Sequence, residues 1–120
     1  MTRILIGVIG PGETATAADI RLASALGKAI ANRHWGLLTG GRAVGVMDAA
    51  SQGARAAGGL VVGILPGETG AQMSSAVDIP ILTGLGQGRN VINVLSSRVV
   101  IACGYGPGTL AEMALAIKLG

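Results

Sequence analysis

Phenylalanine is missing from this 120-residue sequence, and Trp35 and Tyr105 are its only aromatic side chains. A core without rings must be aliphatic, as in parallel strands buried on both faces. With no aromatic platform and no basic block, the sequence offers no stacking groove for nucleic acid. Cysteine occurs once, at Cys103, which excludes an internal disulfide and a thiolate metal cluster. Histidine also occurs once, at His34, which excludes an imidazole-based metal site and a Ser-His-Asp triad using another histidine. Charged residues make up only 12% of the chain, and the net charge of +3 is scattered rather than clustered. Apolar runs are far shorter than the roughly 20 residues that span a bilayer. The short run after Arg3 stops at Gly10-Pro11-Gly12, unlike a signal peptide. A cytoplasmic protein without a membrane partner is expected, as one domain over residues 1–120.

Glycine, by contrast, is abundant at 21 residues, and half of the chain is hydrophobic. The apolar runs and turn signals predict strands over Arg3–Ile9, Trp35–Leu38, Leu60–Leu65, Ile79–Leu82 and Val99–Ala102. Pro80 places the fourth of these at a sheet edge. Helices are predicted from an N-cap at Thr16 to about Arg33, over Val46–Ala57, over Arg89–Ser97 and over Thr109–Leu119. In the first helix Leu22, Leu26 and Ala29, with Ala23 and Ile30, have the spacing of a buried stripe. Residues 68–75 show no periodicity and read as a mobile loop. His34 reads as a C-terminal cap, Asp19 and Asp48 as charges compensating helix dipoles, and Cys103 as core.

This alternation predicts an α/β protein with a doubly wound, Rossmann-like, mainly parallel sheet and helices on both faces. A sheet of this type continues with one more strand after the last helix, so a version lacking that strand is expected. Ligands of such sheets lie beyond the carboxyl ends of the strands. Four loops fall there, at residues 10–14, 39–45, 83–88 and 104–109. Their glycines serve tight turns when taken singly; together at one edge they form a cradle for a phosphorylated small molecule. Gly10, Gly12, Gly40, Gly41, Gly106, Gly108 and Thr109 are its candidate backbone donors. Neither Gly-x-Gly-x-x-Gly opening the first helix nor a Gly-Lys-Ser/Thr P-loop is found, which disfavours an NAD dehydrogenase or a P-loop NTPase.

Arg89 opens a helix, where a cation opposes the macrodipole unless an anion shares the space. Arg42, beside Gly40-Gly41, follows the same logic; either arginine could instead be solvated. Thr109-x-x-Glu112 matches a capping box, and Glu112 could equally serve as a general acid or bind a sugar hydroxyl. Tyr105 either stacks on a ligand base or covers the strand end.

Several of these segments resemble a known family. Thr39-Gly40-Gly41, then Gly45-Val46-Met47-Asp48-Ala49-Ala50, Gly53-Ala54 and Ala57-Gly58-Gly59, resemble the Lonely Guy (LOG)-like Rossmann superfamily, once mislabelled lysine decarboxylases. Gly108-Thr109-Leu110-Ala111-Glu112 resembles its Gly-Thr-x-x-Glu signature. Residues 63–67, Thr83-Gly84-Leu85-Gly86 and Arg89-Asn90 resemble more narrowly the branch of the molybdenum cofactor carrier proteins. The resemblance implies a homodimer or higher homo-oligomer binding a phosphorylated, nucleotide-like ligand. On the carrier side the ligand is the molybdenum cofactor, a pterin with a phosphate, bound without turnover. On the enzyme side it is a nucleoside 5′-monophosphate, hydrolysed to base and ribose 5-phosphate with Arg89 and Glu112 as catalytic residues. No metal ligand and no resident cofactor is implied by either.

Three departures weigh against the hydrolase more than against the binder. Gly104-Tyr105-Gly106 stands where the enzymes have Pro-Gly-Gly, Arg42 where a third glycine is frequent, and Asn90 where an Arg-Lys pair continues. A third expectation is an inert fragment with an unpaired strand edge. Met113, Ala114 and Ile117 give the last helix a plausible dimer surface.

Overall fold

Val, Ile and Leu runs of four or five residues form the strands β1 (Leu5–Ile9), β2 (Gly36–Thr39), β3 (Val61–Leu65), β4 (Ile79–Leu82) and β5 (Val99–Ala102). Between them lie the helices α1 (Ala17–Asn32), α2 (Gly45–Ala56) and α3 (Arg89–Ser96), the last entered through a 3-10 turn at Gly86–Gly88. These elements come from a computed structural model, which describes residues 3–104. The last predicted helix, with Met113, Ala114 and Ile117, lies outside the described residues, as does the question of a further strand.

The strands form one parallel sheet in the order β4-β3-β2-β1-β5. The chain steps outward from β1 to β4 and then returns to the other flank of β1. Strand order therefore reverses between β1 and β5, where Ile9 pairs with Ala102. β4 is an edge strand, as Pro80 predicts, and all four of its residues are exposed. Alternation along the strands feeds two apolar layers. Ile6, Val8, Leu37 and Val61 meet Ala23, Ile30, Val46, Ala50 and Ala54 of α1 and α2 on one face. Leu38, Val62 and Ile64 meet Ile92 of α3 on the other. Helices thus cover both faces, and the doubly wound, Rossmann-like architecture is the one expected. No described helix is long and apolar enough to cross a membrane.

Thr16 caps α1 as predicted: its hydroxyl accepts from the Asp19 N–H at 3.1 Å, and Asp19 accepts from the Thr16 N–H at 3.0 Å. The buried stripe of α1 differs from expectation. Ala23, Gly27, Ile30 and Ala31 face inward, whereas Ala29 is exposed and Leu22 is 51% exposed. The cause is a backbone-to-backbone crossing with α2. A methyl group on Gly27 would collide with the Ala50 carbonyl oxygen, and one on Gly53 with the Ser24 carbonyl oxygen. So close a crossing centres the contact on residues with little or no side chain and turns Leu22 outward.

The C-terminal capping role read for His34 is found. His34 ends α1 through its backbone: with φ at 61° its N–H donates to the Ala31 carbonyl at 2.9 Å, while the residue is exposed. Within the segment over 68–75, residues 68–72 are exposed, whereas Ser74 is fully buried and hydrogen-bonded to α2. Its C-terminal part, Gln72 to Ser74, runs as a strap along the loop after β2.

Candidate functional site

Because every strand is parallel, the loops that follow β1, β2, β4 and β5 emerge at one edge of the sheet. The first two are joined directly: the Val46 N–H at the start of α2 donates to the Pro11 carbonyl at 3.0 Å. Gly10 packs against the Cys103 carbonyl and Val46, which leaves no room for a side chain between β1 and β5. Gly12 faces Val44 and Met47. Thr39 is buried at the end of β2, and its hydroxyl accepts from the Gly41 N–H at 2.9 Å. Gly41, with φ at 79°, adopts the left-handed turn that other residues rarely enter.

Arg89 is the first residue of α3, yet it is only 7% exposed. Its guanidinium crosses the sheet edge to Gly40, where a methyl group would stand 2.9 Å from Nη2, 3.3 Å from Nε and 2.6 Å from Met47 Sδ. Arg89 Nη1 also donates to the Gly86 carbonyl at 3.4 Å. The Thr83–Gly88 loop is itself anchored, since the Thr83 hydroxyl donates to the Leu65 carbonyl at 2.7 Å and the Gly86 N–H to the Pro66 carbonyl at 3.0 Å. A buried cation is thereby placed at the carboxyl end of β2. Arg89 and Asn93, one turn apart, are the buried residues of α3.

Arg42 sits at the rim. Its Nη2 donates to Glu13 Oε1 at 2.9 Å, so an ion pair joins the β1 and β2 loops. A hydrogen bond that the carboxylate accepts from its own backbone N–H, then the Arg42 hydrogen bond and charge, hold the Glu13 carboxyl below the usual carboxylate range. At the β1–β5 reversal a methyl group on Gly104, whose φ is 86°, would meet Asp19 Oδ1 at 2.7 Å. Cys103 is buried as expected; burial, followed by the charge of Asp19, pushes its thiol up.

The structure therefore brings Gly10, Gly12, Gly40, Gly41, Arg42 and Arg89 to one edge. Tyr105, Gly106, Gly108, Thr109 and Glu112 lie outside the described residues. Sequence reasoning missed Glu13, Met47 and Ser74 at this edge. Met47 carries the signal of a core helix residue, and no spacing singles out the other two. Asp19 was assigned a dipole role and proves also to adjoin the glycine turn. Among the described residues no group of three His, Cys, Asp or Glu side chains is placed to hold a metal ion. A buried arginine beside glycine backbone suits an anion such as a phosphate ester.

Comparison with known proteins follows the same lines. The profile of the SLOG cluster4 family matches residues 3–120. The molybdenum cofactor binding protein of the phototrophic bacterium Rippkaea orientalis is similar at 60% identity and a TM-score of 0.98, over 99% of this chain and 73% of that one. The molybdenum cofactor carrier protein of Chlamydomonas reinhardtii is similar at 52% identity and a TM-score of 0.93, over 98% and 73%. A cytokinin riboside 5′-monophosphate phosphoribohydrolase of Mycobacterium marinum is 51% identical over 47 residues, which are 39% of this chain and 25% of that protein.

Proposed function

Because the chain belongs to the SLOG cluster4 family, we propose that it is a binding or carrier protein for the molybdenum cofactor, a pterin bearing a phosphate. The observation that carries this reading is the reach of the likeness. It extends along nearly the whole chain toward the carrier proteins, but over only 47 residues toward the hydrolase. The edge of the sheet supports it chemically. Arg89 opposes the phosphate charge from a buried position, and backbone N–H groups of Gly10, Gly12 and Gly40 supply donors; that of Gly41, a candidate from the sequence, is instead taken by the Thr39 hydroxyl. Arg42, ion-paired to Glu13, stands at the rim, and the reading assigns Gly106, Gly108 and Thr109 as further backbone donors. We extend the reading to one phosphate-binding domain over residues 1–120, acting in the cytoplasm as a homodimer or higher homo-oligomer.

One observation favours a second reading. Residues 108–112 carry the Gly-Thr-x-x-Glu signature, so a nucleoside 5′-monophosphate phosphoribohydrolase would use Arg89 to hold the substrate and Glu112 as acid or base. The test incubates the purified chain with AMP and with a pterin monophosphate, following free adenine by chromatography and thermal stability on the same samples. The carrier reading expects stabilisation by the pterin phosphate and no adenine. Adenine release that disappears in Glu112→Gln establishes the enzyme instead.

A further inference from the structure

The loop after β2 is held from outside by the connection between β3 and β4. The Ser74 N–H donates to the Gly41 carbonyl at 2.8 Å, and the Ala43 N–H donates to the Gln72 carbonyl at 2.7 Å. Between these bonds Arg42 and Met73 form an antiparallel bridge. Three residues of the strap thus lie alongside three residues of the cradle loop, like a fragment of sheet.

The strap is in turn tethered to α2. The Ser74 hydroxyl donates to Asp48 Oδ1 at 2.7 Å and accepts from the Ala76 N–H at 3.2 Å. Gln52 Nε2 donates to the Ser75 hydroxyl at 3.1 Å, and Arg55 Nη1 to the Ser75 carbonyl at 2.9 Å. Asp48, Gln52 and Arg55 recur at the four- and three-residue spacing of one helix face. Ser74 is fully buried and bonds both to the cradle loop and to the tether.

The geometry points to Ser74 as a positioning residue for anion binding, working with Asp48. It holds the Gly41 carbonyl and so fixes the direction in which the Gly40–Arg42 backbone faces the ligand. Neither side chain touches the ligand. This inference rests on the carrier reading, because the loop it positions is part of the proposed phosphate cradle. A hydroxyl that is removed leaves Asp48 Oδ1 and the Ala76 N–H short of a partner, and the loop loses its fixed backing.

The experiment uses the full chain with a pterin monophosphate as probe, comparing Ser74→Ala, Asp48→Ala and Asp48→Asn. Affinity is measured by calorimetry, and amide exchange at Ala43 and Ser74 is compared with exchange in the α1 core. Ser74→Ala and Asp48→Ala are each expected to weaken binding roughly five- to tenfold, the scale of one buried hydrogen bond. Exchange should quicken at Ala43 and Ser74 but not in α1, a variant combining Ser74→Ala with Asp48→Ala should be no worse than either single one, and Asp48→Asn should retain binding because it keeps the acceptor. Unchanged affinity in Ser74→Ala overturns the inference alone, as does a loss accompanied by faster exchange throughout α1. An unmutated chain that does not bind the probe overturns the carrier reading and the inference with it.

Discussion

Gly40→Ala separates the fold from the site, because the groups it disturbs can yield without unfolding the protein. The added methyl would stand 2.6 Å from Met47 Sδ and 2.9 Å from Arg89 Nη2, both ends of flexible side chains. Overpacking a core typically costs about 1–3 kcal/mol, and mobile neighbours place this case at the low end. Fewer unfolded conformations return about 0.4–1 kcal/mol, since the backbone at Gly40 is outside the left-handed region. The net loss is then about 1 kcal/mol or less, a fall of roughly 4 °C in Tm. Binding suffers more. To regain an ordinary contact distance of about 3.4 Å from the present 2.9 Å, the guanidinium must retreat by about half an ångström. A charge-assisted hydrogen bond contributes about 1.5–3 kcal/mol, so partial loss weakens phosphate binding about tenfold. Calorimetry with a pterin monophosphate and thermal denaturation without ligand measure the two effects. In an Arg89→Ala background Gly40→Ala should cost no further affinity, because its effect passes through that side chain. Additive losses, or full affinity in Gly40→Ala, would refute the reasoning.

Other consequences are open to direct measurement. Gly27→Ala places a methyl group against the Ala50 carbonyl and 3.0 Å from the Ala54 nitrogen, backbone atoms that cannot rotate away. Despite a helix-propensity gain of about 1 kcal/mol, it should lose about 3 kcal/mol, read from the urea midpoint; a neutral variant would show that the helices part easily. Cys103 is buried and its thiol is pushed up, so a thiol reagent at neutral pH should label it only after denaturant is added. Immediate labelling of the native chain would contradict that burial. The Glu13 carboxyl is lowered from 4.5, so its contribution is present above that value and lost as pH falls through the folded-state pKa. The small Tm gap between the unmutated chain and Glu13→Gln should therefore close on acidification, whereas a gap that persists at low pH would remove the ion pair from the explanation.

Legibility in the sequence followed the range of the forces involved. Strands announced by aliphatic runs, the Thr16–Asp19 cap and the edge position enforced by Pro80 depend on neighbours along the chain, and each appears where it was read. The inward face of α1 could not be read that way. Gly27 looks like a weak point in a helix until α2 supplies the Ala50 carbonyl that demands it. Ser74 was equally invisible, since its bonds to Gly41 and Asp48 cross more than 20 residues. Arg89 was found because a cation at a helix start is out of place locally. Its reach to Gly40 needed the folded chain.

The crossing of α1 and α2 also bears on how fast a ligand is captured. Each helix carries one cradle loop at its N-terminus, and the two backbones meet closely at Gly27 and Gly53. The hydrogen bond from Val46 to Pro11 fixes the spacing of the loops themselves. On the proposed reading, an anion reaching this edge would meet loops already joined to each other, and little entropy would be spent on ordering them. Diffusion and the surrounding charge then set the on-rate, and differences in affinity among related phosphates become differences in residence time.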